Sequence, residues 1–287
     1  MKAFDTQENI PEIQEKINNL FYEAFKNYEG GKGLSVPCIP RISSSYLENR
    51  TVVLGQETNT WFEKKDIDDS LKNIFLQNAD NIYKICLTER YDEFIRNHAS
   101  TYLGNFWNFN KMIYKEGIIN GEMIHNNSLS HCWLNLFAVE ACKNKNDKNG
   151  RPTKNEKLRA EIMAMQKNLV FDVLCVLKPK LILALTGHGL DAVLLKYALG
   201  TSRDLCKIKT IDKKRFLSKE MLGEIKIEDE NNPLSEIRII RSYHPTYFMS
   251  RINTHKILKK TLTESNIKMS NSEYYKKIFI KYLKNLK

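Results

Sequence analysis

The chain is expected to fold as a three-layer α/β domain, with helices on both faces of a central, mainly parallel four-stranded sheet. Short apolar runs over residues 51–54, 130–138 and 181–186 stop abruptly at polar or glycine-containing segments, as buried strands do where they open into loops. Segments of helical periodicity lie between them, above all residues 156–177 and 190–199. The succession strand, helix, strand around Leu181 has the spacing of a right-handed crossover, which makes neighbouring strands parallel.

A chain of 287 residues with 42% hydrophobic content buries a substantial core, and a single domain over 1–287 is expected. Within it, residues 1–50 form an N-terminal helical extension packed on the sheet, and residues 252–287 carry a C-terminal basic helix. The net charge of +11, from 45 Lys and Arg against 34 Asp and Glu, suits a polyanionic partner such as nucleic acid. An AT-rich coding sequence also inflates Lys and Asn, so the charge alone is weak support. The 6 cysteines include no CxxC pair and no zinc or iron-sulfur spacing, so no metal or organic cofactor is expected. No apolar run reaches about 18 residues and no signal-like segment starts the chain, so a soluble, cytoplasmic protein is expected, without membrane association and as a monomer.

In chain order, residues 13–28 place Ile17, Leu20, Phe21, Ala24 and Phe25 on one helical face before Gly30-Gly31. The run Thr51-Val52-Val53-Leu54 ends in Gly55-Gln56-Glu57-Thr58-Asn59-Thr60-Trp61, which puts a carboxylate, two amides and a stacking surface in one loop. Carboxyl ends of parallel strands are where open α/β sheets hold their chemistry, although a solvated strand exit has the same composition. Residues 66–91 read as one or two covering helices. Aromatics crowd residues 102–109, either as core or as a wall for stacked bases. Asn135 interrupts the second apolar run. A buried amide left unpaired costs about 1–3 kcal/mol, so it either clamps a backbone or presents a donor and an acceptor to a base edge. His131, at the start of that run, reads as structural. Gly187-His188-Gly189 is neither a dinucleotide fingerprint nor a P-loop. Segments 205–211, 224–227 and 237–241 are short and alternating and read as a strand and a hairpin-like excursion, and the last of them delivers Ser242-Tyr243-His244-Pro245-Thr246-Tyr247-Phe248-Met249-Ser250-Arg251.

Three of these segments, in order and each after an expected strand, resemble the uracil-DNA glycosylase superfamily. Gly55-Gln56-Glu57-Thr58-Asn59 is similar to its first motif, Leu134-Asn135-Leu136 to the strand with its base-reading asparagine, and His244-Pro245-Thr246 to its His-Pro-Ser motif. Phe106-Trp107 and the strand before Gly187 also match divergent bacterial and phage-like branches. The third position of the first motif is glutamate where aspartate is usual, and Thr58 and Asn59 replace residues that exclude thymine in strict uracil enzymes.

The resemblance implies a monofunctional DNA glycosylase acting on uracil or a modified pyrimidine flipped out of DNA, in repair or in defence against invading DNA. Glu57 and His244 would be catalytic: the first placing negative charge beneath an oxocarbenium-like sugar and orienting water, the second donating to the departing base. Asn135 would read the base, with Phe106 or Trp61 on its face and Gln56, Asn59 and Thr246 around it. Phe248 would be the wedge that fills the gap in the duplex, and Arg251 would hold a phosphate. A catalytically silent DNA-binding protein of the same fold, or an N-glycosidase acting on nucleosides or nucleotides, are the alternatives.

Overall fold

The computed structural model describes residues 9–27, 33–35, 37–57, 91–99, 104–125, 128–141, 147–212, 217–249 and 271–286. The expected α/β character and mainly parallel sheet are present. Strands β1 (Thr51–Gly55), β4 (Cys132–Asn135), β5 (Leu181–Ala184), β6 (Cys206–Thr210), β7 (Leu222–Ile227) and β8 (Arg238–Ser242) form one sheet in the order β4-β1-β5-β8-β7-β6. The first four in that order run parallel, while β7 is antiparallel to both β8 and β6. A separate two-stranded ribbon pairs β2 (Ile124–His125) with β3 (Ser128–Leu129).

The sheet therefore has six strands where four were expected. The four parallel strands are there, and the difference is the hairpin β6–β7, which extends the sheet beyond β8. Val52, Val53, Leu54, Ile182, Leu183, Ile239 and Ile240 are fully buried, because strands covered on both faces need apolar residues at consecutive positions. On β6, by contrast, Lys207 and Lys209 are exposed on an edge strand, a charged edge that resists pairing with other chains.

Helices cover the sheet in two packed groups. Helix Ile10–Phe25 packs on Leu169–Leu177 and Glu156–Gln166, whereas Asn105–Lys115 and Asn271–Lys284 both pack on the short helix Thr246–Met249. Right-handed crossovers from β1 to β4 in one direction, and from β4 to β5 in the other, put the two groups on opposite faces. The helix expected over 156–177 is two helices, broken at Lys167, which has φ 42°. Its neighbour Gln166 is buried and holds the segment after β4: its side-chain amide donates to the Leu136 carbonyl at 2.7 Å and accepts from the Ala138 amide at 3.1 Å. That attachment ends the helix. The second expected strand, over 130–138, is confined to Cys132–Asn135.

Candidate functional site

The chain leaves β1 toward β4 on one side and leaves β5 toward β8 on the other, so the outgoing connections diverge between β1 and β5. Open α/β sheets have their ligand crevice at such a divergence, outside the carboxyl ends of the strands. Backbone bonds lace this edge together beyond the strands themselves. Leu136 N–H donates to Gly55 O at 3.0 Å, Phe137 N–H to Gln56 O at 2.9 Å, Leu185 N–H to Leu54 O at 2.8 Å and Gly187 N–H to Ser242 O at 2.9 Å. The Gln56 side chain crosses the divergence itself, donating to Thr186 O at 2.6 Å.

Asn135 ends β4 directly opposite Gly55 of β1. A Cβ on residue 55 would come within 2.5 Å of Asn135 Oδ1, so the amide lies across the exit of β1 and only glycine leaves room for it. Asn135 is buried, and among the described residues its Nδ2 has no hydrogen-bond partner. Thr186 Oγ1, at the end of β5, is buried and unpartnered in the same way.

His244 follows β8 and is half-buried. Its Nδ1 lies 3.0 Å from Thr246 Oγ1 and accepts the Thr246 amide at 3.4 Å. An amide can only donate, so the lone pair sits on Nδ1 and the ring proton on Nε2. Burial, with the loss of hydration that disfavours a charged ring, pulls its pKa down to about 4. The imidazole is thus a neutral donor, kept so by desolvation and not by cationic neighbours. Its ring stacks on Phe106 at 6.0 Å and 17°, and Phe106 in turn meets Trp133 at 5.9 Å and Trp107 at 5.1 Å. Trp133 and Asn135 share one face of β4, so a wall of rings links the asparagine to the histidine.

Glu57 follows β1, is half-buried, and accepts the backbone amide of Thr153 on Oε2 at 3.1 Å. It clamps the loop ahead of helix Glu156–Gln166, whose N-cap is Asn155. Glu57, Asn135 and His244 accordingly stand at the carboxyl ends of three parallel strands of one sheet, with Gln56 and Phe106 between them.

The other expected site residues divide. Thr246 is exposed, and its hydroxyl and amide both face His244, which makes it a support for that ring. Phe248 is corrected: it is 1% exposed, stacked on Tyr275 at 4.6 Å and edge-on to Phe109 at 5.6 Å, so it is a core residue and fills no gap in DNA. The one-turn helix from Thr246 points it at helices Asn105–Lys115 and Asn271–Lys284. Asn59, Trp61 and Arg251 lie outside the described residues. His131, read as structural, is fully buried, with Nδ1 2.8 Å from the Tyr114 hydroxyl and its pKa pulled down to about 3 by burial.

A buried ion pair at the same edge escaped the sequence reading. Arg241 Nε lies 3.1 Å from Asp191 Oδ1, and the guanidinium also donates to the carbonyls of Lys219 and Glu220. Strand alternation explains the division: Arg241 and Tyr243 face residues 188–191, whereas Ser242 and His244 face the C-terminal helix and Phe106. An arginine amid apolar strand residues, at fixed parity from His244, was the available signal. Among the described residues no group of three or more His, Cys, Asp or Glu is placed to hold a metal ion, and no helix is long and apolar enough to cross a membrane.

No protein-family model matches the chain, and neither a curated protein nor a solved structure does. What the edge can do chemically follows from its own groups: a carboxylate with one engaged oxygen, a neutral imidazole with its proton on Nε2, a buried amide donor without a partner, and an aromatic wall.

Proposed function

We propose that the chain is a DNA glycosylase that hydrolyses the N-glycosidic bond of uracil or a modified pyrimidine flipped out of DNA. The observation that carries this reading is the buried Asn135, with Oδ1 over Gly55 and Nδ2 unpartnered, on the sheet edge that also presents neutral His244. An orphaned amide donor costs about 1–3 kcal/mol, and a pyrimidine edge supplies the acceptor it lacks. Phe106 offers the base a ring face.

As the C1′–N bond breaks, its electron pair goes to the base, and the sugar becomes cation-like. Nε2–H of His244 donates to the base oxygen, and water adds to C1′ and yields its proton to the Glu57 carboxylate. The bond to Oε2 fixes that carboxylate, and Oε1 is the oxygen that would take the proton. The bond from Thr153 to Glu57 also favours a second reading, a DNA-binding protein in which Glu57 only braces a loop.

Oligonucleotides carrying uracil, other deaminated bases or modified cytosines, assayed for alkali-labile abasic sites, separate the two. Excision by the wild type that falls on the order of 100-fold or more in Glu57→Gln and in His244→Ala, with DNA binding retained, supports the enzyme. Binding without product on every substrate supports the second reading.

A further inference from the structure

We propose that His188 and Tyr247, backed by the buried ring of Tyr243, form a stacking platform for single-stranded DNA, seating the nucleobases that flank the one taken into the site. The proposal rests on the reading of the carboxyl edge as a nucleic-acid site. Consecutive residues after β8 send their rings to opposite sides. His244 turns to Phe106, and Tyr243 turns to the loop after β5, where its ring meets His188 at 5.6 Å and 71°. On its other flank Tyr243 meets Tyr247 at 5.6 Å and 44°.

The middle ring of this row is buried and the outer two are exposed. Tyr243 is 6% exposed, close against Gly187, where a Cβ would lie 3.6 Å from the ring. His188 is exposed, and Tyr247, at 39%, is one of two large hydrophobic side chains exposed among the described residues. The neighbouring aromatics Phe109, Phe248, Tyr275 and Phe279 are all fully buried, so the exposure of Tyr247 is specific to this rim.

Every nucleobase has a π face, and exposed rings at the same sheet edge take bases without regard to sequence. In a duplex those faces are already covered by neighbouring base pairs, so the platform selects unpaired strands. The net charge of +11 supplies phosphate attraction for either form, which leaves the rings to discriminate.

The test is fluorescence anisotropy with labelled oligothymidylate, which offers no target base, against a duplex of equal length at fixed salt. The wild type should bind the single strand more tightly. Tyr247→Ala should weaken single-strand binding about tenfold and leave duplex binding nearly unchanged, and Tyr247→Trp should keep wild-type affinity. His188→Ala, also at an exposed position, should act in the same direction. Equal losses for both forms, or no loss in either alanine variant, would overturn the platform. Excision of a target base with no effect of Tyr247→Ala on single-strand binding defeats the platform alone, whereas Tyr247-dependent binding without excision on any substrate defeats the glycosylase reading alone.

Discussion

At the amino-terminal edge of the sheet, side chains end on backbone carbonyls: Tyr46 Oη donates to Leu177 O at 3.0 Å, Ser43 Oγ to Leu129 O at 2.8 Å and Asn49 Nδ2 to Ser45 O at 3.0 Å. The first two of these bonds join the entry of β1 to those of β5 and β4, and the third closes the helix before β1. At the carboxyl edge, Asn135 Nδ2 and Thr186 Oγ1 are buried with nothing to bond. Polar groups at one edge are spent on folding, whereas these two at the other are buried without partners, at a cost in stability. Absence of a partner does not by itself mark a site. His131 Nε2, at the entry of β4, also lacks one, and it is as deeply buried as Asn135 and Thr186. The carboxyl edge differs in combining such groups with the half-buried Gln56, Glu57 and His244.

The largest expected effect tests whether the carboxyl edge is held by Arg241. Arg241→Ala leaves Asp191 buried and unpaired, and should cost about 3–5 kcal/mol of stability, read as a fall in the urea midpoint. A loss near zero would mean that the edge is held by its backbone bonds alone.

Acid separates the two histidines. Both are neutral in the folded state, with pKa values of about 3 for His131 and about 4 for His244, below the ordinary 6.5. The unfolded chain therefore binds more protons between those values, so stability is full above pH about 6.5 and declines as the pH falls, by up to about 1.4 kcal/mol per pH unit for each ring. His244→Gln should remove the part of that slope between about 6.5 and 4 that is due to His244, and leave the part due to His131. Imidazole NMR signals that titrate near 6.5 in the folded protein would refute the desolvation account.

The smallest effect is the sharpest. Tyr46→Phe should cost about 1 kcal/mol, because Leu177 O loses its donor, whereas Asn135→Ala should leave stability unchanged or raised while ending excision. A destabilisation by Asn135→Ala as large as that of Tyr46→Phe would erase the distinction between the edges.

The parallel strands were legible because consecutive Val, Ile and Leu residues have little other place to go, as Val52 to Leu54 and Ile239 to Ile240 illustrate. The hairpin was visible as segments but not as sheet members, since the pairing of Leu222–Ile227 with β8 is a tertiary choice that its mixed pattern does not announce. Likewise Gln166, an ordinary helical residue by type, breaks its helix through bonds to chain some 30 residues away. At the site, Glu57, Asn135 and His244 were readable as strand-end residues. The orientation of Tyr247 and Phe248 was not, because one turn of helix sends adjacent aromatics to rim and core, and nothing in their residue types says which goes where.

The contact between Gly55 and Asn135 ties two distant positions into one heritable unit. A lineage can enlarge residue 55 only after the asparagine has shrunk or departed, so the order in which the two change is constrained, and β4 must change before β1 can.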